Sequence, residues 1–330
     1  MKYIDLHAHL DGSVTLPVAK KLAKMQSVCL PDDEKLKKLI TAPENCKNLN
    51  DFLKCFEFPL SLLQSEKSVC EAVRLVLDEM LGENVLYAEL MFAPQLHTQN
   101  GISQENIVLA AAEGLKMSRL HANLMLCLMR GSGNEEQNKE TLRLAEKYLV
   151  RDGGVTGINL AGAEGIYPTE NYAEILSEAK KRGISISVHA GEADGAESVK
   201  IAVKSGAARI GHGVRAYEDE SVVEMLKEKN IALEMCPTSN RITKAVDDMK
   251  NYPFMNYLEK GIKVTLNTDD KAIENTDICR EFEYMEKNFA LTREQKITVL
   301  KNAADCAFTT DNVKEYLKNE IEKSAFEQKF

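Results

Sequence analysis

Tyr3-Ile4-Asp5-Leu6-His7-Ala8-His9-Leu10-Asp11-Gly12-Ser13 is the stretch that decides the fold. A short apolar strand pattern runs directly into two histidines, an aspartate and a glycine. On a strand, His7 and His9 stand at i and i+2, so both side chains lie on one side. Seven more runs rich in β-branched and apolar residues follow. They begin at Val85 (VLYAELMFA), Asn123 (NLMLCLMR), Val155 (VTGINLA), Ile184 (ISISVHA), Ala208 (ARIGHG), Ile231 (IALEMC) and Ile262 (IKVTLNTDD). The start-to-start spacings, counted from Tyr3, are 82, 38, 32, 29, 24, 23 and 31 residues. Apart from the first, each holds one strand and one crossover helix.

The segments between these runs read as helices with their own punctuation. Residues 104–120 are amphipathic, with Ser103 as N-cap. Residues 169–182 follow Pro168 and stop at Gly183, and residues 196–205 stop at Gly206. Thr292 and Gln295 form a capping-box pair that opens a helix near the C-terminus. Alternating β and α segments with almost continuously apolar strands predict a parallel sheet covered by helices. Eight such units favour a closed (β/α)8 TIM barrel. An open doubly wound sheet is the competing arrangement, weakened because no G-x-G-x-x-G follows the first strand. The expected organisation is one domain over residues 1–330. Residues 11–84 form a helical insertion after strand one, including a helix from Asn50 to Leu63 over the barrel mouth or packed against it. Residues 271–330 supply added helices that close the bottom or side.

Composition excludes several function classes. With 42 Lys+Arg against 51 Asp+Glu among 330 residues, the formal charge is −9. That balance argues against a nucleic-acid or anionic-membrane partner. Hydrophobic residues at 44% and charged residues at 28% are ordinary for a soluble globular chain. The longest apolar run in mid-chain, Leu124 to Met129, is far too short to span a bilayer. Asp5 and His7 interrupt any secretory h-region. The eight cysteines contain no C-x-x-C pair, so they read as reduced, buried thiols. These readings place the protein in the cytoplasm. The oligomeric state has no signature in the sequence.

The chemistry is concentrated in few residues. Of six histidines, His7, His9, His189 and His212 stand at the C-terminal ends of expected strands. Strand eight ends in Asp269-Asp270, and Glu192 follows His189 by three residues. In a barrel those ends share one face, where active sites form. Imidazoles on the inner side of a barrel are costly to bury unless something uses them. His7, His9, His189 and Asp269 together offer three nitrogens and one oxygen to a divalent ion, a set that zinc accepts. The plainer alternative is a group of buried, hydrogen-bonded histidines with no metal. It accounts for one isolated histidine better than for four strand-end histidines beside an Asp-Asp pair. Binuclear relatives of such sites often bridge two metals with a carbamylated lysine at the end of strand four. Strand four here, Gly157-Ile158-Asn159-Leu160-Ala161-Gly162, has no lysine, and that comparison favours a single ion. His97 and His121 lack strand-end placement and read as surface or packing residues.

Five blocks in order carry a resemblance. His7-Ala8-His9-Leu10-Asp11-Gly12-Ser13, His189-Ala190-Gly191-Glu192, Gly211-His212-Gly213, Cys236-Pro237-Thr238-Ser239-Asn240 and Thr268-Asp269-Asp270 resemble the adenosine deaminases of the metal-dependent amidohydrolase superfamily. The likeness runs from residue 3 to about residue 273. It implies hydrolytic deamination: hydroxide adds to purine C6, and ammonia leaves to give inosine. The matched zinc ligands are His7, His9, His189 and Asp269, for one Zn2+ per chain. His212 matches the residue that supports the hydroxide. Asp270 matches the carboxylate that bonds the attacking water and purine N7. Glu192 matches the acid that protonates N1, which requires a raised pKa. Gly162 matches a backbone donor to N3, and Asp11 with His9 matches the contacts to the ribose 5′-hydroxyl. The Phe52-Leu53 and Phe56 segment resembles the family's apolar subsite helix.

Two positions depart from the family pattern. Lys271 stands where a proline usually follows the Asp-Asp pair, and Met91 stands where strand two usually carries an arginine. Either could alter loop rigidity or substrate preference. The implied ligand is a small purine nucleoside: adenosine, with 2′-deoxyadenosine beside it. Adenine or another aminopurine as substrate, and a catalytically silent purine-binding barrel, are the competing readings.

Overall fold

The computed structural model describes residues 1–43 and 45–327. Its strands are β1 (Tyr3–His9), β2 (Val85–Phe92), β3 (His121–Met129), β4 (Val155–Ala161), β5 (Ser185–Ala190), β6 (Arg209–His212), β7 (Ala232–Met235) and β8 (Val264–Leu266). Each begins within two residues of the position expected from the sequence. Neighbours in the chain are neighbours in the sheet, and every pair is parallel.

The sheet closes on itself between β8 and β1. At the rim the His9 N–H donates to the Asp269 carbonyl, and the Asp269 N–H donates to the His7 carbonyl, each at 2.8 Å. Further down this seam, side chains replace the ladder. Asn267 Oδ1 accepts from the Leu6 N–H at 3.1 Å, and Thr268 Oγ1 donates to Asp5 Oδ2 at 2.6 Å. The architecture is therefore the closed (β/α)8 barrel and not the open sheet. The strands are buried on both faces, as crossover helices require.

The helix punctuation works as the residue types dictate. Ser103 accepts from the Asn106 N–H and caps Gln104–Met117. Thr292 and Gln295 make both bonds of the capping box ahead of Arg293–Cys306. The expected helix over 169–182 splits into a 3-10 turn, Thr169–Tyr172, and the helix Ala173–Lys181.

One expectation fails. Asn50 to Leu63 is not one helix but three pieces: Leu49–Phe52, a 3-10 turn Leu53–Phe56, and Glu57–Ser61. Pro59 explains the break, because it lacks the N–H that a continuous helix would need there. With the helix restarted at Glu57, Pro59 falls in the first turn, where no intrahelical partner is lost. The apolar side chains still face inward, and Phe52 packs with Leu49, Cys46 and Ile273 above the barrel mouth.

Three helices follow β8: Ile278–Phe289, Arg293–Cys306 and Asp311–Glu327. Arg293–Cys306 packs along β8 and β1. Just after it, Phe308 covers the end of the barrel opposite the mouth. Its N–H donates to Glu89, and its ring lies 3.6 Å from the guanidinium carbon of Arg209. The eight cysteines carry no disulfide: Cys46, Cys127 and Cys236 are buried as expected, whereas Cys29 is exposed.

Candidate metal and catalytic site

The rim of the barrel gathers residues from both ends of the chain. β1 contains a register shift between Asp5 and Ala8, a bulge of the kind that re-aims side chains beside active sites. From it both histidines reach inward. His7 Nε2 lies 3.0 Å and His9 Nε2 3.2 Å from His189 Nε2. Asp269 Oδ1 lies 3.4 Å from His7 Nε2 and 3.3 Å from His9 Nε2. All four residues are buried. Ligand atoms held about 2 Å from one central ion sit at separations of this size. Three imidazoles and a carboxylate are also a donor set suited to a divalent transition metal. The residues present fit such an ion.

What stands behind His7 and His189 fixes their tautomers. His7 Nδ1 is 2.7 Å from Glu234 Oε2, and His189 Nδ1 is 2.8 Å from Asn159 Oδ1. Each Nδ1 therefore carries the hydrogen, and each Nε2 lone pair faces the cluster. Burial, with the neighbouring imidazoles, holds His189 well below the usual histidine range, and burial holds His9 down at about 4. His7 behaves otherwise. Burial works downward, but its bonds to Asp269 and Glu234 outweigh it and hold the ring up at about 10. A proton on His7 and a cation in the cluster answer the same negative field.

His212 stands at the end of β6 with φ +62°, and Asp269 has φ +57°, both in the left-handed region that non-glycine residues seldom adopt. The twist turns both side chains into the mouth. Tyr252 donates to Asn240 Oδ1 at 2.9 Å, so the Asn240 amide N–H faces His212 Nδ1 at 3.0 Å. His212 Nδ1 is thus an acceptor, and Nε2 carries the hydrogen, 3.5 Å from Glu192 Oε2 and 3.8 Å from Asp269 Oδ2.

Burial pushes up the pKa of several acids at the mouth. Burial raises Glu192 to about 8, helped by the charges of Asp269 and Glu164. Burial also raises Asp11 to about 6, and with Asp269 and Asp11 nearby it pushes Asp270 well above the usual carboxylate range. Asp270 rests directly on the backbone of Gly12. A Cβ there would stand 1.7 Å from Asp270 Oδ1, so only glycine admits this approach. Beside the cluster opens a cavity of about 260 Å³. Asp11, Gly162, Glu192 and Asp270 line its polar side, and Phe52, Leu53, Phe56 and Leu60 its apolar side.

All the residues singled out in the sequence meet here: His7 in the ion cluster, and His9, Asp11, Gly162, His189, Glu192, His212, Asp269 and Asp270 along one cavity. A family model described as "Adenosine deaminase" matches residues 3–324. The chain belongs to the adenosine deaminase family. It is 41% identical over 328 residues to an adenosine deaminase of Haemophilus ducreyi, covering 97% of this chain and 95% of that one. Among solved structures it is similar to an adenine deaminase from Arthrobacter aurescens, at 26% identity and a TM-score of 0.86, covering 97% of this chain and 98% of the other. It is also similar to an N6-methyl-AMP deaminase from Arabidopsis thaliana, at 25% identity and a TM-score of 0.84, covering 99% and 98%.

Several residues of this adenosine deaminase family member received no role from the sequence, although Asn240 stands in one of the five blocks and Asn159 in strand four. Glu234, Asn159, Asn240 and Tyr252 orient the histidines from behind. The available signal was an inward polar residue in an otherwise apolar strand, as in Ile231-Ala232-Leu233-Glu234-Met235 and Val155-Thr156-Gly157-Ile158-Asn159. His97 proves a packing residue, buried with Nδ1 3.1 Å from the Leu63 carbonyl. His121 is half-buried and bonded to Asp152. Of the two departures, Met91 packs with Met125 and Cys127 inside the barrel, while Lys271 is buried and paired with Glu83.

Proposed function

We propose that this chain hydrolytically deaminates adenosine, and 2′-deoxyadenosine with it, to the 6-oxo nucleoside and ammonia, using one zinc ion. The observation that carries this reading is Glu192, a buried acid held up to about 8 on the wall of a cavity that adjoins the ion cluster. Hydrolysis at C6 of a purine needs a proton delivered to N1, because protonation there draws electron density from C6. A carboxyl group that stays protonated at neutral pH is the donor for that step.

His7, His9, His189 and Asp269 would hold the ion, which when bound lowers the pKa of a water molecule to about 7 and so makes hydroxide available. The other residues bind and orient. His212 presents Nε2–H toward the reacting centre, and its depressed basicity, about 4 through burial, keeps it a neutral donor. Asp270, its pKa pushed up by burial, serves as hydrogen-bond partner of purine N7 and of the attacking water. The Gly162 N–H serves N3, and its φ of +104° lets the backbone lie close to a flat ring. Asp11 and His9 receive the ribose 5′-hydroxyl. Phe52, Leu53, Phe56 and Leu60 exclude water from the other face.

Asp11 on the cavity wall favours a nucleoside over free adenine, since the base alone leaves it without a partner. The scarcity of cations among the lining residues disfavours a phosphorylated substrate. The test is a panel of adenosine, 2′-deoxyadenosine, adenine and AMP on protein of measured metal content, following the ultraviolet change of deamination. Adenosine left unchanged by metal-loaded protein would end the proposal, and a rate on adenine above that on adenosine would redirect it. Glu192→Gln is expected to keep its metal and lose about 10²–10⁴-fold in turnover. We also propose a cytoplasmic location, since eight cysteines without a disulfide suit a reducing compartment. Among the described residues no helix is long and apolar enough to cross a membrane.

A further inference from the structure

Behind the loop that carries Glu192 lies a glutamate that neither the ion cluster nor the cavity uses. Glu164 comes three residues after β4 and is fully buried. Its carboxylate accepts five hydrogen bonds. Oε1 takes the Gly191 N–H at 2.7 Å and the Ser198 hydroxyl at 2.5 Å. Oε2 takes the N–H groups of Glu192 at 3.0 Å, Ala193 at 2.7 Å and Asp194 at 3.0 Å. Four consecutive backbone N–H groups turned toward one anion form a nest, the concavity that elsewhere binds phosphate or a cluster. Here the anion belongs to the chain itself, and its lone pairs are saturated.

The nest is tied to the rest of the barrel. Ser198 Oγ lies 2.7 Å from Thr169 Oγ1, which accepts from Arg130 Nη2 at 2.8 Å. The same Arg130 nitrogen donates to the His189 carbonyl at 2.7 Å. The backbone is therefore held on both sides of Glu192, by Arg130 at His189 and by Glu164 from Gly191 to Asp194.

We propose that Glu164 is a positioning residue, the internal anion that folds residues 191–194 into a nest and so fixes where Glu192 presents its carboxyl group. The inference rests on the reading of Glu192 as proton donor. It assigns Glu164 no contact with substrate.

Glu164→Gln is the test, on metal-loaded protein. It replaces one acceptor oxygen with an NH2 group that faces N–H donors and removes a negative charge near Glu192. The groups that face Glu192 are Asp269, Asp270, Glu164, Arg130, Thr243, His7 and His212, and this variant changes one of them. The expected result is a fall in kcat of about a hundredfold, the scale of an ångström-sized misplacement, with a much smaller change in KM. The alkaline limb of kcat should move to lower pH, because Glu192 loses a charge that favours its protonated form. Hydrogen exchange of the amides at 191–194 should quicken. Glu164→Asp, which restores the charge but not the reach, should recover the limb more than the rate. A lowered Tm with kcat, limb and exchange all as in the parent would overturn the proposal and leave Glu164 a plain fold contact. Should Glu164→Gln fail to fold, Ser198→Ala removes one donor only, and the same shifts are expected at smaller size. Their absence would overturn the proposal equally. Glu192→Gln separates the two claims. If it keeps its turnover, the proton-donor reading fails while the exchange data still judge the nest. If it is inactive and Glu164→Gln is normal, the positioning role alone fails.

Discussion

The two ends of the barrel interior both bury charge, and they settle it in opposite ways. At the closed end, Arg209 is fully buried between Glu89 and Glu234, with the Phe308 ring against its guanidinium. Each ion there is answered from within the chain. At the mouth, Asp11, Asp269, Asp270, Glu192 and Glu274 are buried around four imidazoles, and among the described residues Asp270 Oδ1 and Glu274 Oε2 have no hydrogen-bond partner. The floor sets its cation between two carboxylates of the chain, whereas the mouth buries more carboxyl groups than the chain itself supplies partners for. Unpaired buried charge is expensive, so a fold that keeps it does so where a ligand supplies the balance. His7 belongs to both regions, with Nδ1 on Glu234 of the floor and Nε2 in the ion cluster.

The sharpest way to break this contrast is to remove an ion ligand. His189→Ala should lose the bound metal and all measurable deamination while remaining folded, because the hole lies on the cavity wall and fills with water. Metal analysis beside circular dichroism checks this. Retained metal with retained activity would mean that the ion does not depend on His189 as a ligand. Next in size is the floor. Arg209→Met leaves Glu89 and Glu234 buried without their cation, and breaking such a network costs about 3–5 kcal/mol. Urea unfolding should show that loss. A variant as stable as the parent would show that the floor carboxyls reach water or share a proton.

A third substitution sits on the boundary. Glu234→Gln keeps an acceptor for His7 but removes the charge behind it. Losing such an outer partner costs about 10–100-fold in metal affinity. Competition against a chelator measures it. Affinity equal to the parent would show that floor and mouth are energetically separate despite sharing His7.

How much of this was readable beforehand follows from what kind of information each feature needs. The strands show because β-branched runs such as Val264-Thr265-Leu266 are local signals, and the site residues show because they stand at the ends of those runs. Closure at the β8–β1 seam does not show, because Asn267 reaches Leu6 across 261 positions of sequence. Partners such as Glu234 for His7 or Glu164 for Gly191 depend on strand register and shear, which one-dimensional spacing does not contain. The broken segment over the mouth fails for a different reason. Its apolar spacing is helical, but Pro59 decides where helix can continue, and only the packed turn shows which side of the break it occupies.

Lys271 offers the smallest test, and it lies between the two regimes. It follows Asp270 directly, and its ammonium is buried against Glu83 at 2.5 Å, with Glu79 at 3.9 Å. Unlike the floor carboxylates, Glu83 keeps about a quarter of its side chain in solvent, at 27% exposure. Burial raises its pKa above the usual value, and Lys271 acts against that rise. In Lys271→Met the carboxylate can turn to water, so the expected loss is only about 1 kcal/mol at neutral pH. The sign with pH follows from the pair. The parent's advantage exists while Glu83 is ionised, and it shrinks as pH falls through the Glu83 pKa, where a neutral carboxyl no longer needs the cation. Thermal unfolding across that range checks it. Deamination and metal content should stay near the parent's, since Asp269 and Asp270 are also held by the β1 rim and by Gly12. A large loss of activity with little loss of stability would instead place Lys271 in the mouth, as the tether that aims Asp270.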